Sequence, residues 1–331
     1  MNDASLIRVE NLYRYYGAIC AVQDVSFEVS RGEVVGFLGP NGAGKSTTML
    51  MISGNLAPSA GRVLINGVDI LDDPRAAKAD LGFLPEQPPL YRELTVDEYL
   101  AYCAKLNRIP REQRRKAMDS AKQRCGLDEV GHRLIGNLSK GFQQRAGIAQ
   151  AIIHSPAVVI LDEPTVGLDP IQIREIRTLI RELADEHSVI LSTHILPEVQ
   201  AICDRVQIIH KGRLILESSI EGIQQQLQGN SLLVGLKNPP PGDELAALEG
   251  VEQVETLPDG RIRLRYAPGR DPADALVETA VAKRWGLHEL TPEQMSLEQI
   301  FINITCRDES IPGSIAGSIA ESSGDSAEDA A

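Results

Sequence analysis

Aromatic side chains are scarce in this chain, at 4% of residues with a single tryptophan, which excludes a surface built for stacking exposed bases. Positive charge is outnumbered, with 33 Lys and Arg against 46 Asp and Glu, so the basic field that duplex binding needs is missing too. No nucleic-acid partner is expected. No apolar run approaches the roughly 18 residues of a membrane span, so any work at a membrane has to pass through a partner. The start, MNDASLIRVEN, lacks a basic n-region and a long apolar stretch, and is not expected to be a signal peptide. Five cysteines (Cys20, Cys103, Cys125, Cys203 and Cys306) are scattered, odd in number and free of any C-x-x-C pair. That excludes a disulfide frame or a cysteine zinc site and suits reduced thiols in a cytosol.

What is present points to a globular α/β protein. At 331 residues with 43% hydrophobic content, the chain can form one large domain and a smaller one. LIRVENLYRYYG, AVQDVSFEVS and EVVGFL read as strands, and helical signals take over near Leu94. There, Thr95 and Glu98 form a capping box ahead of Val96, Tyr99, Leu100 and Cys103 on one helix face. The basic run REQRRKAMDSAKQR reads as a helix with a solvated face. Apolar strands return with AVVILDE, SVILSTH and RVQIIH, and Asp169-Pro170 supplies an N-cap and N1 pair between the first two. Short apolar strands alternating with helices predict a parallel sheet, with a helical block over about residues 90–155 inserted into it. A change of style near Gly229 opens a small α+β unit over 229–306, where Asp259-Gly260 predicts a hairpin and RIRLRYA alternates inward Ile262, Leu264 and Tyr266 with outward arginines. Residues 307–331 carry six acids after Arg307 and no Lys or Arg, and are expected to be disordered.

Two stretches carry chemistry. GPNGAGKST (Gly39, Pro40, Asn41, Gly42, Ala43, Gly44, Lys45, Ser46, Thr47) matches G-x-x-x-x-G-K-[ST] between a buried strand and a helix start. Its glycines let successive N–H groups curl round a phosphate, Lys45 adds a cation near the β and γ phosphates, and the Ser46 hydroxyl can ligate Mg²⁺. In AVVILDEPTVGLD an apolar strand ends in two acids, so that Asp162 can hold Mg²⁺ through water and Glu163 can orient or deprotonate an attacking water. A third stretch, NLSKGFQQRAGIAQAI, contains no catalyst, yet Ser139 at the expected N-cap and Gly141 in the first turn present free N–H groups to an anion. Its helix carries Phe142, Ala146, Ala149 and Ile153 at apolar spacing.

GPNGAGKST, LSKGF, VVILDEPTVGLDP and STH occur in an order and spacing that make residues 1–228 resemble the nucleotide-binding domain of an ABC transporter. The resemblance implies a P-loop NTPase fold of ABC type, with antiparallel strands at the N-terminus and an inserted helical subdomain. It implies ATP and Mg²⁺ as cofactors, Ser46 and Asp162 serving the metal and Glu163 as catalytic base. Tyr16 would stack on adenine, with Tyr13 and Tyr15 as competitors for that role. Asp169 would form the D-loop, and His194 would sense the γ-phosphate. Ser139 and Gly141 would meet the γ-phosphate of an ATP held on a second copy, in a homodimer or a heterodimer with a paralogue.

Two departures stand out against the family pattern. The usual Q-loop glutamine falls on Glu86 in GFLPEQPPLY, with Gln87 next to it; the spacing to Tyr91 favours Glu86, which can also ligate Mg²⁺. LSKGF replaces the family's LSGGQ, and Lys140 either strengthens the phosphate contact or faces water. The phrase LPEQPPLYRELTVDEYL with LSKGFQQR is similar to ATPases of exporter-type systems, including multidrug, sodium-efflux and gliding-motility complexes, and the unit ending SLEQIFINIT resembles their extra C-terminal domain. The implied role is an energy-coupling ATPase held by a separate permease on the cytoplasmic face of the membrane. The alternatives are a soluble ABC ATPase acting on ribosomes or DNA, disfavoured by the single cassette and acidic charge, and a nucleotide sensor without turnover, disfavoured by the presence of Glu163 and His194.

Overall fold

Three apolar strands decide the architecture. β3 (Val34–Leu38) and β7 (Val158–Asp162) are buried at every residue, and so is β8 (Ser188–Thr193). Strands buried on both faces belong in the middle of a parallel sheet covered from two sides. The computed structural model describes residues 5–222, 231–267 and 269–292. In it β3 pairs in parallel with β8 and with β9 (Arg205–His210), while β7 pairs in parallel with β8 and with β6 (Leu81–Leu84). β10 (Arg213–Ser219) closes one edge antiparallel to β9, giving the six-stranded order β10-β9-β3-β8-β7-β6.

The pleat sends alternate residues to opposite faces, and the core divides accordingly. Val35, Phe37, Val158, Ile160 and Ile190 share one apolar cluster with a four-stranded antiparallel sheet. That sheet contains β1 (Ile7–Tyr16), β2 (Ile19–Val29), β4 (Ala60–Ile65) and β5 (Val68–Asp69), in the order β2-β1-β4-β5. The same cluster holds Met49, Met51 and Ile52 of α1 (Lys45–Ile52). Val34, Leu38, Val159, Leu161, Val189 and Leu191 face the other way, into a larger cluster with the remaining helices. These are α3 (Val96–Leu106), α4 (Arg111–Cys125), α5 (Lys140–Ile152), α6 (Pro170–Ala184) and α7 (Leu196–Ile202); the short α2 (Pro74–Ala79) lies against the first cluster through Ala77.

Helix ends follow the sequence expectations. Thr95 accepts from the Glu98 amide at 3.2 Å while the Glu98 carboxylate accepts from the Thr95 amide at 2.9 Å, closing the capping box. Lys122 ties α4 to α3 through Asp97 at 2.7 Å, and Arg145 ties α5 to α6 through Glu175 at 2.5 Å. α5 is buried more widely than its predicted apolar stripe, since Gly141, Gln144, Gly147 and Ile148 are covered too. α4 keeps only Ala121 and Cys125 buried, as a solvated basic helix should.

A third sheet stands in the C-terminal part. β11 (Ser231–Leu236), β12 (Val251–Thr256), β13 (Ile262–Tyr266) and β14 (Leu287–Pro292) pair antiparallel in the order β12-β13-β11-β14. Leu232, Val234, Ile262 and Leu264 form its inner face, packed with Leu245 of α8 (Gly242–Ala246), Leu276 and Ala280 of α9 (Ala273–Ala282), and Trp285. The hairpin expected at Asp259-Gly260 joins β12 to β13. The SLEQIFINIT segment, Cys306 and the acidic tail lie outside the described residues. Among the described residues, Cys20, Cys103, Cys125 and Cys203 are free thiols, and burial pushes Cys103 up to about 11 and Cys125 up to about 12, which leaves both unreactive. No described helix is long and apolar enough to cross a membrane.

Two histidines sit where the helical block meets the base of the sheet. Arg124 lies 3.0 Å from His187 Nε2, and an arginine can only donate, so Nδ1–H of that ring donates to the Pro156 carbonyl at 2.6 Å. His154 contacts the Leu81 carbonyl at 3.2 Å. Burial lowers the pKa of both, against the raising effect of those carbonyl contacts, and Arg124 pushes His187 further down while Glu186 opposes it. The unfolded chain binds protons near pH 6.5, whereas the native chain resists them until lower pH, so this stability is complete above pH 6.5 and is lost as pH falls through the folded values. The urea midpoint should therefore be level above neutrality and decline across the window that opens as pH falls below 6.5. His187→Gln, which cannot titrate, should soften that decline; a wild-type midpoint independent of pH across the window would sink the idea.

Candidate functional site

β3 ends at Leu38, and the chain turns through Gly39–Gly44 into α1, whose first residue is Lys45. At Gly44 φ is 106°, and a Cβ would lie 2.7 Å from the Ala21 carbonyl oxygen, so this corner admits only glycine. Lys45 folds back over the turn. Its ammonium donates to the carbonyls of Gly39 at 2.9 Å and Pro40 at 3.3 Å, and it lies 3.2 Å from Glu163 Oε1. Both members of that ion pair are nearly covered, at 5% and 7% side-chain exposure, so their attraction is poorly screened.

Asp162 ends β7 on the pleat face of Val158 and Ile160, the face toward α1. Ser46 Oγ donates to Asp162 Oδ1 at 3.3 Å, and Ser192 Oγ at the end of β8 donates a short bond to the same oxygen. Burial raises the Asp162 pKa; the two hydroxyls work against that rise, while nearby Glu163 and Glu86 add to it. A hydroxyl and a carboxylate oxygen beside a phosphate cradle suit Mg²⁺, which keeps several waters and completes its shell with substrate phosphates. Among the described residues no group of three or more His, Cys, Asp or Glu side chains could form an all-protein metal cage.

Glu163 has φ 48°, the left-handed region, which costs a non-glycine residue about 1–2 kcal/mol. Its amide donates to the Ser192 carbonyl at 3.0 Å, and its carboxylate spans from Lys45 to His194, with Oε2 2.9 Å from His194 Nδ1. Asn41, Gly42, Gly44, Lys45, Ser46, Thr47, Glu86, Glu163, Val166 and His194 line one cleft of about 400 Å³ together with Ala21. Glu86 lines this cleft and Gln87 does not.

The remaining predicted site residues do not line it. Tyr16, 47% exposed, is at the tip of the β1–β2 hairpin with the Arg14 guanidinium 4.8 Å from its ring centre. Tyr13 and Tyr15 stack on one another at 6.4 Å. Ser139 caps α5 by accepting from the Phe142 amide at 3.4 Å, and Asp169 caps α6 by accepting from the amides of Ile171 at 3.0 Å and Gln172 at 2.9 Å. These two helix starts adjoin each other: a Cβ on Gly141 would lie 2.8 Å from Gln172, and one on Gly167 would lie 2.1 Å from Lys140 Nζ. Lys140 therefore reaches over the loop that leads into Asp169. Ser192 lies in the STH stretch but carries no motif signal of its own; its place on the pleat face of Asp162 is what gives it a role.

The sequence matches the ABC transporter family over residues 22–166, and the C-terminal domain of DrrA1-3-like ATP-binding proteins over residues 219–305. It is 34% identical over 302 residues to the Bacillus subtilis ABC transporter ATP-binding protein YdbJ, covering 91% of this chain and 95% of that protein. It is 30% identical over 307 residues to the Bacillus subtilis linearmycin resistance ATP-binding protein LnrL, covering 91% of this chain and 99% of that one. The fold superposes on a dimeric bacterial ABC transporter cassette with a TM-score of 0.59 at 27% identity, over 65% of this chain and 98% of the other. With a P-loop, a buried strand-end acid pair and full-length relatives of one kind, the chain belongs to the ABC transporter ATP-binding proteins and is an ATP-binding ATPase.

Proposed function

We propose that the chain is the ATP-hydrolysing subunit of an exporter, closing as a pair of copies over two ATP·Mg to drive a separate permease. The observation that carries this reading is a site in two parts. The cleft gathers Lys45, Ser46, Glu86, Glu163 and His194, while Ser139 and Gly141, an anion-binding helix start, lie outside it, with Gly141 against Gln172. A second copy supplies the missing part by bringing its α5 start to the γ-phosphate. Ser46 and Asp162 would hold Mg²⁺, which would supply neutralisation of phosphate charge when bound. Within the cleft the P-loop amides and Lys45 bind the phosphates, Glu163 accepts the proton of the attacking water, and His194 holds Glu163 in place and contacts the γ-phosphate. Tyr16 stacks on adenine, Asp169 orders the loop at the pair interface, and Glu86 joins the water region to the helical block. The full-length match to a resistance ATPase supports export.

The permease contact we assign to the side of the helical block that joins α2. Leu106, 61% exposed, borders a groove of about 810 Å³ with Pro74, Arg75, Lys78 and Arg108. Its rim is basic on a chain of net charge −13, which fits a cytoplasmic segment with apolar anchors and acidic residues. Affinity capture from detergent-solubilised membranes should recover a multi-span protein; recovery of ribosomes instead would support the soluble reading.

Glu163→Gln removes the proton acceptor while keeping the shape of the side chain, and should lower turnover by about 10²-fold or more. The same variant should accumulate as an ATP-bound dimer in size-exclusion chromatography, and undiminished hydrolysis would refute the role given to Glu163. Ser139→Arg should abolish that ATP-driven dimer in the Glu163→Gln background while leaving ATP binding by the single copy largely intact. Equal loss of both would remove the case for a two-part site.

A further inference from the structure

His194 is held at a turn, and the turn has its own support. At the end of β8 the pleat turns Ser192 toward Asp162 and Thr193 to the opposite face, where α7 lies. Thr193 Oγ1 accepts from the Ile195 amide at 3.0 Å, so its hydroxyl bridges across His194. That hydroxyl has one proton, which it donates to Glu198 Oε2 at 2.8 Å. Glu198 has no solvent exposure at all, an unusual position for a glutamate. Its other carboxylate oxygen makes no hydrogen bond and faces Arg177 Nη2 of α6 at 3.6 Å. The carboxylate thus faces an arginine of a neighbouring helix and spends its one hydrogen bond on the residue before His194.

We propose that Glu198 is a positioning residue for hydrolysis: through Thr193 it sets the turn that places the His194 ring on Glu163. The chain of contacts is short and continuous. Glu198 orients the Thr193 hydroxyl; that hydroxyl fixes the Ile195 amide; the fixed turn leaves His194 Nδ1 at 2.9 Å from Glu163 Oε2. A hydroxyl released from Glu198 can rotate, and the Ile195 amide then loses an oriented acceptor. Because α6 is capped by Asp169 and carries Arg177, the placement of His194 depends on the helix that follows the proposed D-loop. A glutamate that only filled the core would be replaceable by an apolar side chain of similar volume without effect on chemistry.

The inference rests on the role given to His194 above, and ATPase kinetics of the full-length chain separate the two. Thr193→Val keeps shape and loses the hydroxyl; kcat should fall roughly tenfold while KM for ATP moves less than about twofold. Thr193→Ser, which keeps the hydroxyl, should restore kcat. Glu198→Leu removes the other end of the same hydrogen bond, so the double variant Thr193→Val/Glu198→Leu should be no slower than the slower single variant. In a His194→Ala background, Thr193→Val should add nothing. A wild-type kcat for Thr193→Val beside a depressed His194→Ala overturns the positioning role alone. Losses that multiply in the Thr193→Val/His194→Ala double variant also overturn it, since the two would then act separately. A wild-type kcat for His194→Ala overturns both this role and the reading of His194.

Discussion

The buried carboxylate of Asp162 is the constraint around which the cleft is arranged. A charged group 3% exposed at the end of a fully apolar strand is unstable unless hydroxyls or cations meet it there. Two hydroxyls do so, from different directions: Ser46 from the first turn of α1 and Ser192 from the end of β8. Satisfying one oxygen therefore fixes the P-loop helix against two adjacent strands. The next residue, Glu163, is similarly constrained, by a left-handed backbone and by Lys45 and His194 on either side of its carboxylate. A buried carboxylate and a strained backbone thus meet at adjacent residues, the two that chemistry on a phosphate would require.

That arrangement explains why a parallel sheet is the right platform. Parallel strands all end on the same side, so β3, β7 and β8 deliver the P-loop, the acid pair and His194 to one edge. The apolar clusters on the two faces hold those strand ends rigid, since every residue of all three strands is buried. The α5 and α6 starts stand apart from this edge and adjoin each other through Gly141 with Gln172 and Gly167 with Lys140. A rigid half-site and a separate pair of coupled helix starts support the proposed sharing of the site between two copies.

Much of this was legible in the sequence because phosphate binding needs consecutive residues. The P-loop, the Asp162–Glu163 pair, the Thr95 capping box and the Asp169 cap are all local patterns, and each falls where its spacing put it. The C-terminal sheet was legible through the alternation of Ile262, Leu264 and Tyr266 with arginines. What stayed hidden depends on pairing across the fold. Ser192 reads as an ordinary strand serine until β8 is registered beside β7, which sets Ser192 opposite Asp162. Lys140 had two open readings, and neither included a reach over Gly167, because that contact joins segments separated by β7. Tyr16 matches its motif, yet its ring is shared with Arg14 at an exposed hairpin tip, where sequence pattern says nothing about packing.

The end of β8 shows how a pleat can divide labour among three consecutive residues. Ser192 supports the acid at the end of β7, Thr193 turns away to Glu198, and His194 returns to the cleft. Had Thr193 been apolar, α7 could pack equally well against β8, and no glutamate would need to be buried there. An ion pair such as Arg177–Glu198, with the glutamate fully buried and the arginine half-buried, is weak evidence for stability, because desolvation of the carboxylate offsets much of its attraction. Its value lies in direction instead: a carboxylate held at a fixed point orients a hydroxyl in a way that an apolar contact cannot. The same physics operates at Asp162, where oriented hydroxyls stabilise a buried charge. At Glu198 the relation is reversed, and the buried charge orients the hydroxyl.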